Sequence, residues 1–192
     1  ATVDGTGLVT GISSGITVIT YTNSNGCTVS ANMIVNILPV KTATPASQII
    51  CSGQSTGIQL TSSVPGATFS WTAAQTGVFG ATSGNGNAIA DVLNTTGSIQ
   101  GSVNYTITLI ASGCVGNSIH VVITVKPSPE VFGTSNATIC SGASTNITLS
   151  PNILGTTFEW TVLQTGVTGG LPSSGPSIAV PLIINQTLST TG

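Results

Sequence analysis

Apolar and polar residues alternate in four stretches of the chain: ITVITYT (16–22), ATFSWTA (67–73), VNYTITLI (103–110) and SIHVVITV (118–125). Alternation with a period of two sends successive side chains to opposite faces of a strand. The β-branched residues that fill these rows favour extended backbone. Turn-forming clusters punctuate them: SNG (24–26), PG (65–66), SGNGN (83–87), SG (112–113) and GLPSSGP (170–176). No window carries a convincing helical period. Many short strands between turns predict an all-β sandwich or barrel.

The pattern occurs twice. ICSGQSTGIQL (50–60) is answered by ICSGASTNITL (139–149), TFSWT (68–72) by TFEWT (157–161), and QTGV (75–78) by QTGV (164–167). The offset is 89 residues throughout, and an ungapped alignment runs from Ile50 to Leu93. Self-similarity at such a period marks a repeat architecture, in which modules form a rod or array. Two proline-bearing linkers, LPVKTATP (38–45) and VKPSP (125–129), precede the two ICSG blocks. They divide the chain into a partial module at 1–40, a complete one at 41–128 and a partial one at 129–192. In the first, GITVITYTNSNGC (15–27) and MIVNIL (33–38) match the last two strands of the complete module, with Gly26–Cys27 under Gly113–Cys114. Partial modules call for neighbours to cover them, so the expected partners are other modules of the same chain.

Charge narrows the function. Only 3% of the residues are charged, with two lysines, and the net charge is −2. Nucleic-acid binding needs a basic footprint that two separated lysines, Lys41 and Lys126, cannot make. No apolar run reaches the ~20 residues of a membrane span. Apolar residues at 40% exclude the low-hydrophobicity composition of disorder.

Catalytic chemistry is sparse. His120 is the single histidine, and its place in SIHVVITV reads as a solvent-facing strand position. No serine sits in a GxSxG elbow. The carboxylates are Asp4, Asp91, Glu130 and Glu159. In the ungapped alignment Asp91 faces Val180 and Glu159 faces Ser70, so no carboxylate pair recurs with the module, as glycoside hydrolysis would need. Asp4-Gly5-Thr6-Gly7 is too thin for a calcium site. These readings predict a non-enzymatic chain with no metal and no cofactor. Asn-x-Ser/Thr occurs at Asn94, Asn104, Asn136, Asn146 and Asn185; in a eukaryotic secreted protein these would be glycan acceptors, and chance also produces them in a chain rich in Asn and Thr, which is the reading preferred.

The tryptophans Trp71 and Trp160 hold one module position, with Phe69 and Phe158 two residues before them on the same strand face. All four read as core aromatics between two sheets. The other reading is a glycan-stacking platform. Tyr105 reads as packing or capping an edge of the same sandwich.

Four cysteines, Cys27, Cys51, Cys114 and Cys140, lack CxxC spacing, which argues against zinc. In an extracellular chain they suggest disulfides. With Cys114 in the final hairpin and Cys51 near the start of the first strand, both are expected at one pole, so Cys51–Cys114 is feasible within a module. The alternative, Cys27–Cys51 with Cys114–Cys140, would need the chain to fold back across a strand of ~33 Å. Four free thiols form the third reading.

ICSG, then Phe69-x-Trp71, then Tyr105 to Thr108, then Gly113–Cys114, then Val122 to Pro127 resembles the PKD-like, immunoglobulin-like repeats of very large surface proteins of Bacteroidetes. The opening ATVDGTGLVTGISSGITVITYT (1–22) is similar to the C-terminal half of bacterial group-2 Ig-like domains. The W-D-F-G-D-G motif of PKD domains is absent, since TAAQTG follows Trp71. The resemblance implies an extracellular, cell-surface adhesin exported by the type IX route, with the modules serving as a stalk for adhesion or gliding motility. A glycan- or protein-binding module, with surface glycans or other surface proteins as partners, and the spacer of a secreted multidomain enzyme are the alternative uses.

Overall fold

The computed structural model describes residues 1–133, 136–174 and 181–191. The end of the GLPSSGP turn and Val180 lie outside the described residues. Every regular element among those described is a strand. No helix among them is long and apolar enough to cross a membrane.

The N-terminal segment holds two small antiparallel pairs. β1 (Thr2–Val3) pairs with β2 (Val9–Thr10). β3 (Gly15–Thr22) pairs with β4 (Thr28–Val35) along its whole length. Their apolar side chains stay open: Ile16, Val18, Tyr21, Val29 and Ile34 are all exposed. A two-stranded ribbon has too little partner surface to bury a core.

Residues 41–126 form a closed two-sheet sandwich. β5 (Lys41–Thr44), β6 (Ser47–Cys51), β7 (Gln54–Ser55) and β8 (Ile58–Ser62) lead into the long β9 (Thr68–Thr76). Four short pieces follow: β10 (Val78–Phe79), β11 (Gly84–Asn85), β12 (Ala88–Ile89) and β13 (Val92–Thr95). The 11-residue β14 (Gly101–Ala111), β15 (Cys114–Val115) and β16 (Ile119–Lys126) complete it. One sheet runs β11-β9-β14-β16-β6, with β15 on β14; a second runs β12-β8-β5, and a third, β10-β13-β7, packs against β9, β14, β16 and β6. After the cis Thr44–Pro45 bond the chain crosses between the sheets, so β5 pairs antiparallel with β8 while β6 pairs parallel with β16. This is an all-β, immunoglobulin-like sandwich.

The period-two pattern accounts for its core. On β14 the residues Val103, Tyr105, Ile107 and Leu109 are fully buried, and Asn104, Thr106 and Thr108 between them face outward. Val121, Ile123 and Val125 of β16 extend the inward row, and Ile58, Ile89 and Leu93 meet it from the other side. Each such aliphatic burial contributes roughly 1.5–3 kcal/mol. Tyr105 therefore sits at the centre of the sandwich, not at an edge as the sequence suggested. β14 lies between β9 and β16, which cover it on both flanks.

The parallel β6–β16 pairing overturns the Cys51–Cys114 disulfide. Cys51 lies across from Lys126, beside the β14 end at Gly101, whereas Cys114 lies across from Ala111 at the other end of β14. An 11-residue strand separates them by ~33 Å at ~3.3 Å per residue, far beyond the ~7 Å a disulfide spans. All four thiols are free. The expectation failed because it placed Cys51 near the start of the first strand, whereas Cys51 is the last residue of β6. The first strand is in fact split, and its second half runs down to the opposite pole.

The second copy follows with β17 (Val131–Gly133), β18 (Ile147–Pro151), β19 (Val167–Thr168), β20 (Leu182–Ile184) and β21 (Ser189–Thr190). Strand order is β17-β18-β20, with β19 on β21. Ile147 corresponds to Ile58 and pairs with Ile184, as Ile58 pairs with Ile89. The offset has grown from 89 to 95 residues between these strands. The same slip appears in the loop bonds: Thr56 N–H donates to Asp91 O and Thr145 N–H to Gln186 O; Gly53 N–H donates to Leu93 O and Gly142 N–H to Leu188 O. The ungapped alignment to Leu93 is thus corrected, and the structural counterpart of Asp91 is Gln186, not Val180.

One glycine pair shows how closely the copies agree. Gly80 has φ +104° and Gly169 φ +99°, and a Cβ on either would run into a carbonyl oxygen, of Val92 and Thr187 respectively. Gly80→Ala meets both the left-handed backbone penalty and that collision. It is expected to destabilise the sandwich by about 2–3 kcal/mol, read as a lower urea midpoint with unchanged m-value.

Candidate functional site

The residues with the densest side-chain hydrogen bonding form a clasp around Trp71. β9 carries Trp71 inward opposite Ile107 of β14, and the loop at 80–84 folds over its ring. Gly84 permits this approach, since a Cβ there would stand 3.0 Å from Trp71 Cζ2. The indole Nε1–H donates to Thr82 O at 3.0 Å. Thr82 N–H in turn donates to Asp91 Oδ2 at 2.9 Å, and the Thr82 hydroxyl to Asp91 Oδ1 at 2.8 Å. Tyr105 O–H reaches the same carboxylate from the core, donating to Oδ2 at 2.7 Å. Ala81 N–H donates to Gln75 Oε1 at 3.2 Å, tying the loop to β9. One carboxylate thus satisfies a core phenol and a covering loop together.

Copy two repeats the clasp with one exchange. Trp160 Nε1–H donates to Leu171 O at 3.1 Å, and Gly170 N–H to Gln164 Oε1 at 2.9 Å. Gln186 stands in for Asp91: its Oε1 accepts from Leu171 N–H at 3.1 Å and its Nε2–H donates to Leu171 O at 2.6 Å. A neutral amide therefore holds the loop that a carboxylate holds in copy one. What recurs is a hydrogen-bonding role, not acid–base chemistry.

Burial first, then the hydrogen bond and charge of Asp91, pushes the Tyr105 phenol well above the usual tyrosine value. The folded chain thus holds this proton more tightly than the unfolded chain. The resulting stabilisation is complete below about pH 10, the ordinary tyrosine pKa, and is lost as pH rises from there toward the folded-state value. The urea midpoint is expected to fall between about pH 9.5 and pH 11.5, more steeply than in Tyr105→Phe. Equal pH profiles for the two proteins would count against the assignment.

The other candidates read from the sequence scatter. Phe69 and Trp71 join the core, and Phe158 is buried. Trp160, expected in the core, is only half-buried, because no described residue covers it as β14 covers Trp71. His120 is exposed on β16, with Nδ1 3.1 Å from the Thr106 hydroxyl. Asp4 closes its own turn. Hydrogen bonds from the Thr6 hydroxyl, then the Leu8 and Thr6 amides, hold its carboxyl below the usual carboxylate range. No group of three or more His, Cys, Asp or Glu able to hold a metal ion occurs among the described residues. Asp91 carried no weight in the sequence because the ungapped alignment gave it an apolar counterpart. Its signal was its isolation, one charge within the apolar AIADVL (88–93).

Closed β-sheets, a core with one buried tyrosine and a tied loop define an immunoglobulin-like structural module. Residues 48–129 match the family model described as the PKD-like domain. No curated protein matches the chain.

Proposed function

We propose that this chain is a non-catalytic stalk or spacer region of a large bacterial cell-surface adhesin, located outside the cell, with its sandwiches joined in tandem. The observation that carries this reading is the exchange of Asp91 for Gln186 at one clasp position. A site that used the carboxylate as acid, base or ligand would lose its function in the second copy, whereas a site that only ties a loop would not. The PKD-like match at 48–129 supports a spacer role, since such domains are generally non-catalytic. Sparse charge leaves few sites for trypsin-like cleavage, which suits an exposed filament. Export by the type IX route and a part in gliding motility belong to the same proposal and rest on the sequence resemblance.

Single-molecule pulling of the chain tests the mechanical role. Unfolding of residues 41–128 is expected as one discrete event, releasing roughly 300 Å of contour length at ~3.6 Å per residue. Gradual extension without a resisting event contradicts a force-carrying spacer. Glycan-array binding that disappears in Trp160→Ala while the fold persists would favour the recognition reading instead.

A further inference from the structure

The step from the N-terminal ribbon into the sandwich is tied down residue by residue. Ile37, Leu38 and Val40 are exposed, yet Pro39 among them is buried. Its seat is the β14–β15 hairpin. Gly116, just past β15, is buried against it, and a Cβ there would stand 2.9 Å from Pro39 O and 3.4 Å from Pro39 Cγ. Asn36 reaches the same hairpin, its Nδ2–H donating to Ser112 O at 2.8 Å. On the other flank Val40 N–H donates to Ser63 Oγ at 3.1 Å, and Ser63 N–H to Val40 O at 2.9 Å. This reciprocal pair carries the β5–β8 ladder one step beyond Lys41–Ser62. It recurs where the second copy begins. Glu130 N–H donates to Asn152 Oδ1 at 2.8 Å and Asn152 N–H to Glu130 O at 3.2 Å, one step beyond the Val131–Pro151 end of the β17–β18 ladder.

We propose that this end of the sandwich, the Ser112–Gly116 hairpin together with Ser63, is the socket of a stiff joint whose occupant is the segment Asn36–Val40. Units joined by a plain linker move relative to one another unless their contact holds them. The proline ring fixes one backbone torsion of the linker, and its buried seat fixes the position. The three hydrogen bonds of Asn36, Val40 and Ser63 then fix the direction in which the β3–β4 ribbon leaves. Gly116 is outside the positive-φ glycines, so the close approach of the linker, and not its own backbone, calls for glycine there. The inference stands apart from the adhesin reading. Resistance of the sandwich to pulling and stiffness of the joint are separate readouts, and either can fail without the other.

Double electron–electron resonance on the whole chain tests the joint, with nitroxides on Cys27 and Ser70→Cys and the other three cysteines replaced by serine. Cys27 lies in the turn at the far end of the β3–β4 ribbon, and Ser70 on the outer face of β9. Both are exposed. One narrow distance distribution is expected. Gly116→Ala unseats Pro39 and should broaden that distribution at least about twofold, with the urea midpoint of the sandwich unchanged. Asn36→Ala, at an exposed residue outside the sandwich core, should broaden it as well. If Gly116→Ala also lowers the midpoint, Asn36→Ala decides: broadening supports the joint and an unchanged width overturns it. A broad distribution in the parent chain, or a width that neither substitution alters, overturns the proposal.

Discussion

Trp71→Ala is expected to destabilise the 41–126 sandwich by about 3–5 kcal/mol, the range for deleting a large buried aromatic. That is a large share of the roughly 5–15 kcal/mol that hold typical domains together. The indole is 9% exposed, fills the space between β14 and the 80–84 loop, and anchors that loop through Thr82 O. Removing it leaves a cavity and a loop without its lid contact. Trp160→Ala removes the same side chain from the equivalent place in copy two. There it is less completely buried than Trp71, so a smaller loss is expected, about 2 kcal/mol from the apolar area it buries. Urea denaturation followed by circular dichroism separates the two. Equal losses would mean that the tryptophans are held alike, against the geometry.

Asp91→Ala is expected to cost about 3 kcal/mol and to lower Tm by roughly 15 °C, at 4–8 °C per kcal/mol for a domain of this size. Three donors lose their acceptor at once: the Tyr105 phenol, the Thr82 amide and the Thr82 hydroxyl. The phenol belongs to a fully buried residue. A buried donor left unpaired carries a larger penalty than the net value of its bond. Asp91→Asn retains one acceptor oxygen for the Thr82 amide and the Tyr105 phenol, and its NH2 can donate to the Thr82 hydroxyl in place of the bond it accepted, so with the charge assistance lost about 1 kcal/mol is expected. If alanine and asparagine behave alike, the carboxylate is not the tie between core and loop. Scanning calorimetry of the two variants decides the point.

The strands were legible because alternation is a local property. All four stretches read from the sequence correspond to β3, β9, β14 and β16, with ends shifted by three residues at most. The inward row of β14 followed from period two alone. Strand direction was not legible. Nothing local to SQIIC (47–51) says that it pairs parallel with β16 after crossing between the sheets, and the Cys51–Cys114 error came from that. The slip from 89 to 95 residues was hidden in a turn-rich stretch where Ser, Gly and Asn align by chance in either frame. It concealed the Asp91–Gln186 equivalence, and with it the meaning of Asp91. Trp160 is less covered than Trp71 among the described residues, because burial belongs to the covering strand as much as to the residue covered.

Native-state hydrogen exchange on the whole chain tests the central claim most directly, namely that one structural module closes on its own core at 41–126 and is repeated after it by residues that, among those described, are less covered. Amides of β9, β14 and β16 are expected to exchange only through global unfolding, while those of 157–164 and 184–188 exchange by local opening, at least about a hundredfold faster. Uniform protection across both copies, falling together as urea is added, would show one shared cooperative body and contradict the account.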